Sequence, residues 1–258
     1  MGDQMSFLPG RDIFLRRSGL SLPSKGFAAI GAVAVSIVSA IGLFQVVDGR
    51  FVGSTLVSQA VVMWLGLALV SQMIVRRSAL KRRWADRAFS IAFRWLAIPG
   101  LTLIGVGVAH FVWIEGARLV PRELALIPVV YLLASGVTLW LRSVQAFGID
   151  NLSMMYVYFP AEGRLVDSRI YGVLRHPVYS AVIRVAFALI LWNGSAFALF
   201  ASLMAPLTMT AWLRWVEEPE LIERFGDGYR AYRARVPAFF NLRVRTWPLL
   251  WRFLLTGR

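Results

Sequence analysis

Two stretches constrain this chain before anything else does. Residues 26–47 (GFAAIGAVAVSIVSAIGLFQVV) and 56–75 (LVSQAVVMWLGLALVSQMIV) contain no charged side chain. Crossing about 30 Å of hydrocarbon takes roughly 20 mostly apolar residues in a helix, and both stretches have that length. Residues 95–114 and 124–141 follow the same pattern, and 178–192 and 195–213 supply a fifth and a sixth candidate span around a short Asn-Gly turn. The chain is 58% hydrophobic, above the roughly 45–50% of an ordinary soluble domain. The expected fold class is an all-α integral membrane protein. It should have about six transmembrane helices (five to six), a helical hairpin near the C-terminus and a cytoplasmic amphipathic C-terminal region.

The net charge of +14 invites a nucleic-acid reading, but its distribution opposes one. Lys and Arg number four before the first span, one in 48–55, seven in 76–94, two in 115–123, four in 142–177 and nine in 214–258. Basic segments alternate with nearly uncharged ones, which is the positive-inside pattern of a multi-pass protein. Both termini are therefore expected in the cytoplasm, with the charge serving topology and attraction to anionic lipid. The absence of cysteine excludes disulfides, thiolate nucleophiles and cysteine metal sites. The two histidines, His110 and His176, lie far apart in sequence, so no metal is expected. The apolar run behind the basic N-terminal residues is too long for a cleaved signal. Residues 1–6, MGDQMS, fit the letters of a myristoylation pattern, but so short a motif matches by chance.

The chain divides into three regions: spans one to four over 1–141, a functional region over 142–240 that contains spans five and six, and a tail over 241–258. In the first region Gly31, Ala34, Ser36 and Gly42 suit close helix packing. Pro99 and Gly100 are expected to kink span three, and His110 reads as an interfacial residue beside Trp113. The texture changes after Trp140. Residues 142–177 form a long, polar, mixed loop, of the kind that carries function in membrane proteins. Residues 214–240 are charged and aromatic with helical period up to Phe225, and Gly226 and Gly228 read as helix stops. Residues 247–255, WPLLWRFLL, read as a short amphipathic segment at the interface.

The chemistry concentrates in two clusters. In YGVLRHPVYS, residues 171–180, the residue before proline is biased away from the helical region, and proline favours the first helical turn. His176 should end the loop and Pro177 should open span five. First-turn amides without intrahelical partners suit a carboxylate or another electron-rich group. Arg175 adds positive charge there, and Tyr179 adds an aromatic face and a hydroxyl one turn in. The second cluster, Glu217 and Glu218, falls where span six leaves the membrane, and acidic groups there are usually paired or functional. If the hairpin of spans five and six returns the chain to the same face, an anion-friendly helix start lies opposite a carboxylate pair. A ligand with an amino group, a carboxylate and a positive sulfur suits both.

At these residues the chain resembles a known family. Arg175, His176, Pro177 and Tyr179, then Glu217, Glu218, Leu221, Phe225, Gly226, Tyr229, Tyr232, Val236 and Pro237, follow the pattern of the isoprenylcysteine carboxyl methyltransferase-like enzymes. Membrane phospholipid methyltransferases share it in part. The resemblance covers about residues 142–240 and departs at Ala181, where the family often has glycine. It implies S-adenosyl-L-methionine as cofactor, held near the cytoplasmic face, and a hydrophobic or lipid-like acceptor that enters sideways from the bilayer. Carried over residue by residue, it places Arg175, His176, Pro177, Tyr179, Glu217, Glu218, Tyr229 and Tyr232 around the cofactor. Arg224 or Arg235 would orient an anionic acceptor. Arg184, inside span five, either snorkels to the interface or lines a polar cavity.

Two other readings compete. A steroid-reductase-like, NADPH-dependent membrane oxidoreductase shares the architecture and part of the tyrosine pattern, and a cofactor-binding comparison separates it. A non-enzymatic membrane protein or transporter would need polar groups near the midplane of several spans, where Arg184 alone qualifies. Nothing in the sequence names the methyl acceptor.

Overall fold

A computed structural model describes residues 8–240, 245 and 247–256. The MGDQMS pattern lies outside the described residues, as does most of 241–246. The described chain is helical. A short helix α1 (Arg11–Ser18) precedes α2 (Pro23–Val47) and α3 (Ser54–Val75). The basic α4 (Arg77–Trp84) turns into α5 (Ala88–Ala92), which continues through a π-helical turn (Phe93–Ala97) into α6 (Ile98–His110). Then come α7 (Arg122–Phe147), the short α8 (Ile149–Leu152) and α9 (Met155–Tyr158), α10 (Pro177–Asn193) and α11 (Ala196–Trp212). A second π turn (Leu213–Glu217) leads into α12 (Glu218–Arg235), and α13 (Trp247–Thr256) follows.

Five helical stretches are long and apolar enough to cross a membrane, and the shorter apolar Pro177–Asn193 stands with them. The chain is an integral membrane protein. Side-chain contacts fix which helix ends lie together. At one end His110 Nε2 meets Asp48 Oδ2 at 2.9 Å, and Asn193 Nδ2 donates to the carbonyls of Val112 and Ile114. At the other, Ser90 and Arg94 donate to Ser18 O, and Arg77 pairs with Glu223. The starts of α2, α5 and α10 and the ends of α3, α7 and α11 therefore share one end, called here the site end.

Three expectations change. His110 is not at an interface: it is 5% exposed and stacks on Phe44 at 3.7 Å between ring centroids. The buried imidazole meets Asp48 through Nε2, while its Nδ1 has no partner. Residues 142–177 are not an open loop either. The apolar run MYVY forms α9, and Met155, Tyr156, Val157 and Tyr158 are all buried against Phe14, Met73, Phe89 and Phe93. The irregularity in span three is the π turn ahead of Pro99, while Gly100 serves packing, since a Cβ there would stand 2.7 Å from Gly66 O.

Candidate functional site

The site is assembled where the start of α10 meets the junction of α11 and α12. His176 is the N-cap of α10, with non-helical φ −123 and ψ 64, and Pro177 is its first residue, as the Arg-His-Pro order predicts. The backbone before α10 is clamped to the segment after α12: Arg175 N donates to Pro237 O at 2.9 Å and His176 N to Ala238 O at 3.0 Å. The first cluster is thus tied by main chain to the segment after α12, and by side chains to Glu217 and Glu218.

The π turn Leu213–Glu217 places the carboxylates. A π turn inserts one extra residue into the helical register and recurs at functional sites. Here it separates the two glutamates by role. Glu218 is 4% exposed and is consumed by the protein. Arg175 Nη2 donates to its Oε1 at 2.8 Å, Arg233 Nε lies 3.1 Å from its Oε2, and Tyr229 OH reaches Oε1 at 3.4 Å. Glu217 faces the aromatic side: Tyr179 OH donates to Oε2 at 2.7 Å. Its other oxygen lies 3.7 Å from His176 Nδ1, too far for a hydrogen bond.

The His176 ring stacks on Tyr179 at 5.6 Å, and Tyr179 meets Trp212 edge-on at 5.8 Å. Phe239 tilts against His176 at 6.2 Å. The result is one half-committed carboxylate in an aromatic enclosure. His176 Nε2 sits 3.6 Å from Glu218 Oε1, a contact without a hydrogen bond, and Nε2 is buried with no partner. Tyr171 OH is likewise buried and unpartnered. Burial pushes the Tyr171 phenol up from its ordinary range, with Tyr232 and Glu217 adding to the effect. It is a neutral donor at physiological pH.

The remaining expected residues are placed as follows. Arg175 straps the site, its Nη1 donating to Arg233 O and Val236 O and its Nη2 to Glu218, while its Nε is buried without a partner. Tyr232 is buried and donates to Tyr171 O at 2.6 Å, which fastens α12 to the segment before α10. Arg224 pairs with Glu220 at 3.1 Å and lies over the Phe225 ring. Arg235 is on the exposed rim, 3.8 Å from Asp167. Tyr171, Trp212, Arg233 and Phe239 belong to the site and carry no motif signal of their own. Tyr171 was visible only as an aromatic four residues before Arg175. The family's glycine position, Ala181, is buried against α7, and the close approach there comes from Gly136, whose added Cβ would stand 3.2 Å from Ala181 O.

Residues 125–228 match the phospholipid methyltransferase family model. The matched stretch is similar to that family and spans less than half of the chain. The match runs from α7 into α12 and includes Arg-His-Pro and both glutamates. Tyr229, Tyr232 and Arg235 fall just beyond it, and α2 to α6 precede it. No curated protein and no solved structure gives a significant match. The apolar helices make this a membrane protein, and the match relates its site-bearing stretch to a methyltransferase family.

Proposed function

We propose that the protein transfers a methyl group from S-adenosylmethionine to a lipid-like or hydrophobic acceptor, at the membrane face where α10 begins. The observation that carries this reading is Glu217. It is a half-buried carboxylate with one oxygen bound by Tyr179 and the other free to accept, inside a ring of His176, Tyr179 and Trp212. Carboxylate and aromatic faces together suit a cationic group. The orphaned donors support the same ligand, since Tyr171 OH and His176 Nε2 can serve a carboxylate or ribose hydroxyls. The residues present therefore fit the cofactor.

When bound, S-adenosylmethionine supplies an electrophilic methyl on a positive sulfur. The chain's residues then orient and exclude water, which accounts for much of the rate in a displacement at carbon. Glu217 holds the ammonium or ribose side, His176 and Tyr179 form the walls, and Pro177 fixes the helix start. Arg175, Glu218, Arg233, Tyr229 and Tyr232 hold α12 against α10. The basic residues are concentrated at the site end, and this supports a cytoplasmic orientation.

The test uses purified full-length protein. S-adenosylmethionine and S-adenosylhomocysteine should raise its melting temperature, because a ligand bound only by the folded state stabilises it by mass action. Labelled methyl should appear in a lipid extract or in a prenylcysteine analogue. Stabilisation by NADPH and none by S-adenosylhomocysteine would replace this reading with the membrane oxidoreductase.

A further inference from the structure

His176, Ser180 and Arg184 stand four residues apart and so share one stripe at the start of α10. Each carries a buried polar atom with no hydrogen-bond partner: His176 Nε2, Ser180 Oγ and Arg184 Nε. Native interiors leave few such atoms unpaired, and each asks for an explanation. His176 belongs to the site already described. Arg184 lies deeper, about 10 Å along the helix axis from Pro177.

A cation inside a span can snorkel to the interface, pair with a carboxylate, or face a polar cavity. Snorkelling is closed by geometry. Arg184 Nη1 reaches sideways to Ser135 Oγ at 3.2 Å, and Ser135 lies at the middle of α7, Arg122–Phe147. Among the described residues no carboxylate pairs with Arg184: Glu218 is held by Arg175 and Arg233, Glu220 by Arg224, and Glu217 takes the Tyr179 hydroxyl on one oxygen. A serine hydroxyl is a neutral partner and leaves the charge uncompensated. Gly136 lets the helices close on each other here, since a Cβ at that position would stand 3.2 Å from Arg184 Cβ. The guanidinium is held in place with charge and a donor unspent.

We propose that Arg184 binds an oxyanion of the acceptor, a phosphate or a carboxylate, from within the membrane and beneath the cofactor pocket. The proposal rests on the methyltransferase reading above and narrows its substrate class. The acceptor is an amphiphile whose anionic oxygen group sits about two helical turns below His176. A planar guanidinium recognises phosphate and carboxylate alike through paired N–H donors, and a neutral amphiphile offers it no counter-charge. Arg224 and Arg235, the arginines expected from sequence to do this, are engaged with Glu220 and Asp167.

The experiment measures melting temperature of the full-length protein in a neutral maltoside detergent. Dodecyl phosphate, N-acetyl-S-farnesylcysteine and dodecanol serve as phosphate, carboxylate and neutral probes, with S-adenosylhomocysteine titrated separately. At least one anion should stabilise the wild type, and dodecanol should not. Arg184→Gln should weaken the apparent affinity for that anion about tenfold or more. Arg82→Gln, at an exposed cation, should leave it unchanged. Retained stabilisation by S-adenosylhomocysteine shows that the variant is folded. Arg184→Lys and Ser135→Ala carry the comparison if Arg184→Gln does not fold, with a partial loss expected in both. Which anion acts decides between a phosphate and a carboxylate acceptor. An anion response equal in wild type and Arg184 variants, or absent from the wild type, overturns the proposal and leaves the cofactor reading standing. An Arg184-dependent anion response without any response to S-adenosylhomocysteine overturns the methyltransferase reading instead.

Discussion

Glu217 and Glu218 are adjacent and chemically identical, yet the structure gives them opposite tasks. Glu218 is the hub for Arg175, Arg233 and Tyr229, so Glu218→Gln leaves Arg175, itself 11% exposed, without its counter-charge. Breaking a buried pair from one side costs about 3–5 kcal/mol, and a large fall in melting temperature of the apo protein is the expected result. Glu217→Gln removes a carboxylate whose protein partners are one phenol and a distant imidazole, so the apo melting temperature should change little. Its apparent affinity for S-adenosylhomocysteine should fall about tenfold, and His176→Ala should act in the same direction. His110→Ala, at the far end beside Asp48, should leave that affinity unchanged. Equal cofactor affinity in wild type and Glu217→Gln would remove Glu217 from the pocket. The sequence singled out both glutamates but could not divide their contacts, because the division comes from a π turn and not from residue type. The contacts of Arg175 were hidden from the sequence too. Its partners are carbonyls of residues about 60 positions away, which only the tertiary fold brings near.

At the scale of elements, the spans and the Arg-His-Pro helix start were legible because length, hydropathy and proline geometry are local signals. The π turns were not, since they answer to packing on two sides of a helix. The packing faces were only partly legible. In α2, Ser36 is buried as expected, but Ala29, Ala32 and Ala40 make the interface, while Gly31 and Gly42 meet open space. Removing the extra residue of the second π turn tests its role. Trp215 is 74% exposed, so Trp215→Ala should be silent. Deleting Trp215 should turn Glu217 by about 100° relative to α11 and abolish stabilisation by S-adenosylhomocysteine. If the deletion variant keeps that response, the π turn does not position Glu217. The two glycines of α12, alike in sequence, should also part company. Gly226 has φ 57 and ψ −134 inside the helix, so the chain kinks there and resumes instead of stopping. Gly226→Ala should cost about 1–3 kcal/mol. Gly228 has open space around it and helical backbone, and Gly228→Ala should stabilise by about 0.4–1 kcal/mol through the unfolded chain. Denaturant melts of the two variants measure the difference.

For the whole molecule, the structure places both described ends of the chain on the site end, and charge decides which side of the membrane that is. Among the described residues, the segments at the site end carry 22 Lys and Arg residues, and loops 48–55 and 115–123 at the other end carry three. By the positive-inside rule a bias this strong predicts a cytoplasmic site end, where the cofactor would be available. Labelling single cysteines tests it cleanly because the chain has no native cysteine. Positions matter for this test. Gly53 and Gly194 lie at the far end, but their φ values of 81 and 68 penalise any side chain, and a Cβ at Gly194 would come 2.8 Å from Val120 O. Val52 and Leu119 are 86% and 63% exposed at the same end and accept a cysteine without strain. Ser78 is exposed at the site end. Asp227 there has a 97% exposed side chain, and losing its surface ion pair costs about 0–1 kcal/mol. In intact cells an impermeant maleimide should label Val52→Cys and Leu119→Cys, and should reach Ser78→Cys and Asp227→Cys only after the membrane is opened. The reverse pattern would put the site outside and deprive it of cytoplasmic cofactor. Labelling of Val52→Cys and Ser78→Cys from the same side would contradict the single crossing by α3, and with it the six-span arrangement on which the site depends.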